Sequence, residues 1–296
     1  MTNRQSILGI GAALVAAALI ALAGSDGGSR AGDVPLFAIC ALLVFSIQWA
    51  CFVPSWQTHT ERFFDLVGSA TYLTVIAIAV LASPSIGSRS LLLSSMVAVW
   101  ALRLGTFLFA RVLSAGQDRR FEVTKHRFAW FLMTWTLQGL WVLLTAGAAL
   151  ASITANDPKP FGWLGAIGSV IWAIGLIIEV VADNQKRRFR AISGNRDRFI
   201  CNGLWSWSRH PNYFGEIMLW VGIAVVAFPT LSGWRYATLV SPVFVWLLLT
   251  RVSGIPMLDR TAGHRWGDDP EYRAWRDSTP MLFLRPPRKM RPPRKS

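Results

Sequence analysis

With 296 residues, 53% of them hydrophobic and 16% charged, and a mean hydropathy of +0.39, the chain is no ordinary water-soluble domain. Its net charge of +14 invites a nucleic-acid reading, but the distribution of that charge argues against one. Three cysteines and four histidines, scattered along the chain, offer neither a disulfide framework nor metal-ligand spacing, and no Gly-rich nucleotide loop follows a strand.

The apolar residues collect into runs long enough to cross a bilayer, which takes about 20 residues each. Eight are read: 7–23, 36–53, 66–82, 91–113, 128–151, 161–181, 213–228 and 237–254. The fold class is therefore all-α, a polytopic transmembrane helical bundle. Arg4 and Ala21-Leu22-Ala23 also resemble a secretory signal, whose cleavage leaves seven spans, but the length of the run favours an uncleaved helix. Alternate loops hold 24 of the 30 basic residues and the opposite loops hold 4, namely Arg30, Arg89, Lys159 and Arg235. That bias predicts both termini and the large loops on the cytoplasmic side. The expected divisions are the N-terminal spans, 1–54, a main membrane domain, 55–286, and a basic, Pro-rich disordered tail, 287–296.

In chain order, the first two spans are small and aliphatic and read as packing. At the mouth of the third, Gln57, Glu61 and Asp65 recur at one-turn intervals. Acidic groups favour helix N-termini, which is one reading. The other is an acid, kept neutral by burial, that polarises a substrate carbonyl, with Asp65 the deeper candidate. In the fourth span Trp100, Arg103, Phe107 and Arg111 share a face. A guanidinium at the depth of Arg103 needs an anionic partner, from the protein or from a ligand phosphate. Arg119 and Arg120 come next, either as positive-inside residues or as further phosphate contacts. The aromatics of the fifth span, among them Trp135 and Trp141, fit interfacial belts or an apolar cavity.

The sixth span carries a stripe of Glu179, Asp183, Arg187 and Arg190, spaced by three or four residues. A salt-bridged helix end explains the outer part, whereas Glu179 lies deep for a decorative charge and points to a cofactor or catalytic network. Residues 202–220, NGLWSWSRHPNYFGEIMLW, then run from a polar loop into an apolar helix. Pro211 suits the first turn. Glu216, just inside the hydrophobic segment, marks a functional site by its cost there. Residues 259–284 are expected to fold back as a helix covering a cytoplasmic cavity, and the tail beyond to be drawn to anionic lipid headgroups.

Glu179-Val180-Val181-Ala182-Asp183-Asn184-Gln185, Phe189, Asn202-Gly203-Leu204-Trp205 and Ser208-Arg209-His210-Pro211-Asn212-Tyr213-Phe214-Gly215-Glu216 resemble the signature of the steroid 5α-reductase family, more narrowly its bacterial multi-span branch. Ser253-Gly254-Ile255-Pro256-Met257-Leu258-Asp259, with Tyr272, Thr279 and Phe283, is similar to the same branch, and the likeness covers roughly residues 55–286. Isoprenylcysteine carboxyl methyltransferases and sterol Δ14-reductases are more distantly similar.

The resemblance implies a bacterial inner-membrane enzyme that uses NADPH to reduce a carbon–carbon double bond conjugated to a ketone in a lipophilic substrate. It further implies cofactor contacts from Arg103, Arg119, Arg120, Glu179, Asp183, Arg187, Arg190, Arg198, Asn212 and Arg251. Glu216 would lie toward the nicotinamide end, and Glu61, Asp65 and Trp100 would stand near the substrate carbonyl. Membrane lipids and the lipophilic substrate are the expected partners, no nucleic acid and no metal are expected, and the oligomeric state is open. The chain departs from the steroid reductases in having Trp100 at their tyrosine position and no early Gln–Glu pair. The competing readings are a membrane methyltransferase using S-adenosylmethionine and a non-catalytic lipid or sterol binder.

Overall fold

The computed structural model describes residues 2–115, 121–195 and 197–287, so Arg119 and Arg120 lie outside the described residues. The helices run α1 (Asn3–Ser25), α2 (Leu36–Gln57), α3 (Phe64–Ala82), α4 (Ser88–Ala115), α5 (Phe128–Ile153), α6 (Gly162–Ala191), α7 (Pro211–Ala227), α8 (Val240–Leu247), α9 (Ile255–Trp266) and α10 (Pro270–Ser278). A two-residue hairpin, β1 (Arg30–Ala31) with β2 (Val34–Pro35), separates α1 from α2. Eight helical stretches among the described residues are long and apolar enough to cross a membrane, which makes this a multi-pass all-α membrane protein.

Two local expectations are corrected. Gln57, Glu61 and Asp65 do not lie on one helix: α2 ends at Gln57, His59 takes a left-handed φ of 46°, and α3 begins only at Phe64. The run 237–254 is not one α-helix either. It opens as a 3₁₀ helix (Gly233–Leu239), becomes α8, and ends in a π-helical turn (Leu248–Val252) that carries Arg251.

The chain divides into two compact units, Met1–Ser169 with Ile223–Phe244, and Val170–Gly222 with Val245–Ser296. In the first, α5 is the hub. Its C-terminal half, from Val142 to Ile153, is buried on every side. Lipid tails supply no hydrophobic drive between helices, so close packing of small residues must do it. Ala146, Ala148, Ala149 and Ala151 serve here, and a Cβ on Gly139 would stand 3.1 Å from the Phe45 ring. Polar side chains tie neighbouring helices: Gln48 donates to the Thr71 hydroxyl (2.9 Å), Trp49 to the Thr136 hydroxyl (3.1 Å) and Gln138 to the Phe64 carbonyl (3.0 Å).

Arg89 and Arg235 are both only 3% exposed in this unit. Arg89 donates to the carbonyls of Val226, Pro160 and Phe161, and Arg235 to that of Ala151. Nearby, Asp26 accepts from the Trp234 N–H (2.8 Å). The two guanidinium groups thus serve carbonyls in the last turns of α7 (Val226) and α5 (Ala151), where no intrahelical donor remains, and those of Pro160 and Phe161 just before α6.

In the second unit α6 and α7 cross backbone to backbone. A Cβ on Gly175 would meet the Gly215 carbonyl oxygen at 2.7 Å, and one on Gly215 would meet the Glu179 nitrogen at 2.7 Å. The loop before α7 is held from both sides. Trp205 donates its indole N–H to the Ala182 carbonyl (3.0 Å), and Gln185 accepts from the Leu204 N–H (2.9 Å). The segment after α10 then runs beside it: Arg209 N–H donates to Pro280, Ser208 hydroxyl to Leu282 and Arg285 N–H to Trp207.

Candidate functional site

Pro211 does open α7, and the crossing at Gly175 and Gly215 sets the surroundings of the acids beside it. With the two backbones in contact, side chains flanking those glycines are shut away from solvent: Glu179 is 2% exposed, Glu216 7% and Asp183 8%. Asp183 accepts a hydrogen bond from the Asn212 amide at 3.2 Å, which joins the α6 stripe to the first turn of α7. Further along the stripe Arg187 and Arg190 are exposed. One helix face thus passes from buried carboxylates to exposed guanidinium groups within about three turns. That order of groups can accept from hydroxyl or amide donors at one end and hold phosphate oxygens at the other.

A second set of contacts surrounds His210, a member of the sequence motif to which local spacing assigns no role. Its Nε2 lies 3.4 Å from Asp259 on α9, its ring stacks on Tyr213 at 5.7 Å, and its backbone N–H donates to Ser208. Arg209 reaches the other Asp259 oxygen at 3.6 Å. Burial pushes the imidazole below the usual histidine range, and the Asp259 carboxylate beside it opposes that shift. The signal for this pair was present as a histidine next to Pro211, but its partner lies 49 positions later, beyond any local spacing.

In the first unit the early acids have cationic partners. Glu61 Oε2 is 2.9 Å from the Lys125 ammonium, with side-chain exposures of 2% and 15%. Asp65, in the first turn of α3, lies 3.7 Å from Arg111. Arg103 is half-buried with its guanidinium 5.6 Å from the Phe107 ring, so the face-sharing predicted for α4 is seen in that contact. Trp100, 2% exposed, meets Tyr72 edge-on at 5.2 Å. Nothing in the sequence singles out Tyr72, because it belongs to the preceding span.

Arg198 and Arg251 are both exposed. Arg198 is not part of the Glu179–Arg190 stripe: it lines a groove of about 610 Å³ with Arg188, Phe189 and Ile192. No group of three or more His, Cys, Asp or Glu side chains with metal-holding geometry occurs among the described residues.

The sequence profile of the family described as "Protein of unknown function (DUF1295)" matches residues 51–279, a range that takes in every candidate residue from Glu61 to Arg251. The chain is similar to the "Probable O-methyltransferase ustE" of Ustilaginoidea virens, 28% identical over 189 residues, which are 60% of this chain and 62% of that protein. It is also similar to "3-oxo-5-alpha-steroid 4-dehydrogenase 1" of Bos taurus, 31% identical over 70 residues, 24% of this chain and 27% of that protein. The likeness thus spans less than two thirds of either relative's length. No solved structure matches.

Proposed function

Because the chain belongs to the family described as protein of unknown function DUF1295, a steroid 5α-reductase-like family, we propose that it is a membrane-embedded reductase. Its reaction is the NADPH-dependent reduction of a carbon–carbon double bond conjugated to a ketone in a lipophilic substrate. The observation that carries this reading is the α6 stripe, on which Asp183 holds Asn212 and Arg187 and Arg190 stand exposed on the same face. Donor chemistry fits a phosphorylated dinucleotide: planar guanidinium forks match phosphate oxygens, and Asp183 and Glu179 can accept from hydroxyl or amide groups. When bound, NADPH supplies the hydride that reaches the β-carbon.

The chain's own part is to hold the substrate away from water and to offset the negative charge that grows on the ketone oxygen. An O–H or N–H donor aimed at that oxygen achieves this. Trp100 can donate but cannot deliver a proton; the Tyr72 phenol packed against it adds a group that can. Asp65 and Glu61 balance Arg111 and Lys125, so their charge holds those cations in place. We place the loops carrying the basic residues on the cytoplasmic side of a bacterial inner membrane, where the coenzyme is found.

A second reading is favoured by the broader match to the O-methyltransferase relative and by three buried carboxylates in one unit, which suit a sulfonium cofactor. Isothermal titration of the detergent-purified chain with NADPH, NADH and S-adenosylmethionine separates the two. NADPH binding that weakens at least tenfold in Arg190→Ala supports the reductase, whereas binding of S-adenosylmethionine alone overturns it.

A further inference from the structure

We infer that the groove beyond the membrane end of α6 is a binding site for the phosphodiester headgroup of an anionic phospholipid. The groove, about 610 Å³, is walled by the last two turns of α6 and by the loop after it. At about 100° per residue, the groove-lining Gln185, Arg188 and Phe189 of α6 point roughly 120–160° away from Asp183. They therefore occupy the opposite side of the helix from the Asp183, Arg187 and Arg190 stripe, and the groove is a site of its own.

Three features give its chemistry. First, it holds two exposed guanidinium groups, Arg188 and Arg198. Neither forms an ion pair with a carboxylate among the described residues. The acid nearest in the loop, Asp197, is turned to Arg265 (2.6 Å), and Glu271 on α10 acts on Cys201, whose thiol burial already pushes up. Second, the walls are apolar beside those charges: Phe189 and Phe199 line the groove, and Ile192 is 60% exposed directly after the last residue of α6. An exposed isoleucine between two arginines fits the bilayer interface, where alkyl and phosphate groups lie side by side. Third, the frame is fixed. Asn195 donates to the Phe189 carbonyl (3.1 Å), Trp266 donates to the Asp197 carbonyl (2.7 Å), and Gly203 turns the loop with a φ of 59°. Guanidinium forks match the two free oxygens of a phosphodiester, and the Asn202 amide at the rim suits a headgroup hydroxyl. The apolar walls favour a lipid over a free phosphate ester.

The test is native mass spectrometry of the full chain in detergent, titrated separately with phosphatidylglycerol, phosphatidylcholine and glycerol 1-phosphate. Wild type is expected to bind phosphatidylglycerol about tenfold more tightly than phosphatidylcholine, and glycerol 1-phosphate more weakly than either. Arg188→Gln with Arg198→Gln abolishes the preference, Arg188→Lys with Arg198→Lys keeps most of it, and Arg187→Gln on the other helix face leaves it unchanged. Equal binding of the two lipids by wild type overturns the proposal even if the glutamine pair fails to fold. So does glycerol 1-phosphate binding as tightly as the lipid, which marks a soluble phosphate ester as the ligand. Loss of NADPH binding in the glutamine pair with lipid preference intact assigns the groove to the coenzyme instead.

Discussion

Two pairs of arginines place the same side chain in opposite surroundings. Arg89 and Arg235 are buried in the first unit, and their N–H groups are turned onto backbone carbonyls at helix ends. Arg187 and Arg190 stand exposed on the last turns of α6 in the second. The buried pair shows that a guanidinium shut away from solvent in a membrane protein is not in itself a ligand site. Backbone carbonyl oxygens at and beside helix ends are good enough acceptors to hold it, and its role is then to close the frame. Capacity for an outside anion lies with the arginines that solvent can reach.

The most severe test of this contrast is Arg89→Met. It leaves the carbonyls of Val226, Pro160 and Phe161 without their donor, at about 1–3 kcal/mol for each that stays dry. The expected result is a large fall in thermal stability in detergent, while the folded fraction still binds coenzyme normally. A variant that melts with the wild type shows that water already serves those carbonyls. Next comes Arg187→Ala with Arg190→Ala, which should cost less stability than Arg89→Met because both side chains are exposed. Its NADPH affinity should fall by about 1.5–3 kcal/mol for each charged hydrogen bond lost, read by titration. A double variant that binds normally removes the stripe from the coenzyme site.

The sequence made the spans legible because each is a long apolar run, and the structure has helices at all eight. It made the α6 stripe legible because helical spacing is a local rule. What it hid was everything set by pairing across the chain. Arg89 and Arg235 counted only as the sparse charges of the less basic loops, since nothing near position 89 signals the carbonyl of Val226. Gln57, Glu61 and Asp65 had the spacing of one helix, yet the turn at His59 placed Glu61 on Lys125 instead. The end of the last long span gave way to a π-turn at Leu248–Val252, where Gly254 lets the chain pass within contact of Tyr213.

A smaller effect is expected at the crossing that buries the acids. In Gly215→Ala the new Cβ would lie 2.6 Å from the Gly175 carbonyl oxygen and 2.7 Å from the Glu179 nitrogen. Overpacking of this kind costs about 1–3 kcal/mol, and it moves Glu179 with it. The variant should lose stability and coenzyme affinity together, unlike either arginine change. Loss of one without the other would mean that the glycine contact and the acids are independent.

The smallest effect concerns pH, and it separates His210 from the arginines, which stay charged throughout the accessible range. Burial holds the folded-state imidazole below the ordinary value of 6.5, against the pull of Asp259 and with Lys186 and Arg209 reinforcing the shift. Between that folded value and 6.5 the unfolded chain binds more protons than the native one. The stabilising contribution is therefore fully present above the unfolded value and drains away as pH falls through the folded one. His210→Gln, which keeps a polar side chain but cannot titrate, should flatten the fall in melting temperature across that acidic window and change little above it. Asp259→Asn should act in the other direction: without its partner the imidazole resists protonation further, so the window extends to lower pH and the loss within it grows. A wild-type slope that survives unchanged in His210→Gln means that other groups carry the acid sensitivity, and the buried imidazole is then a packing element alone.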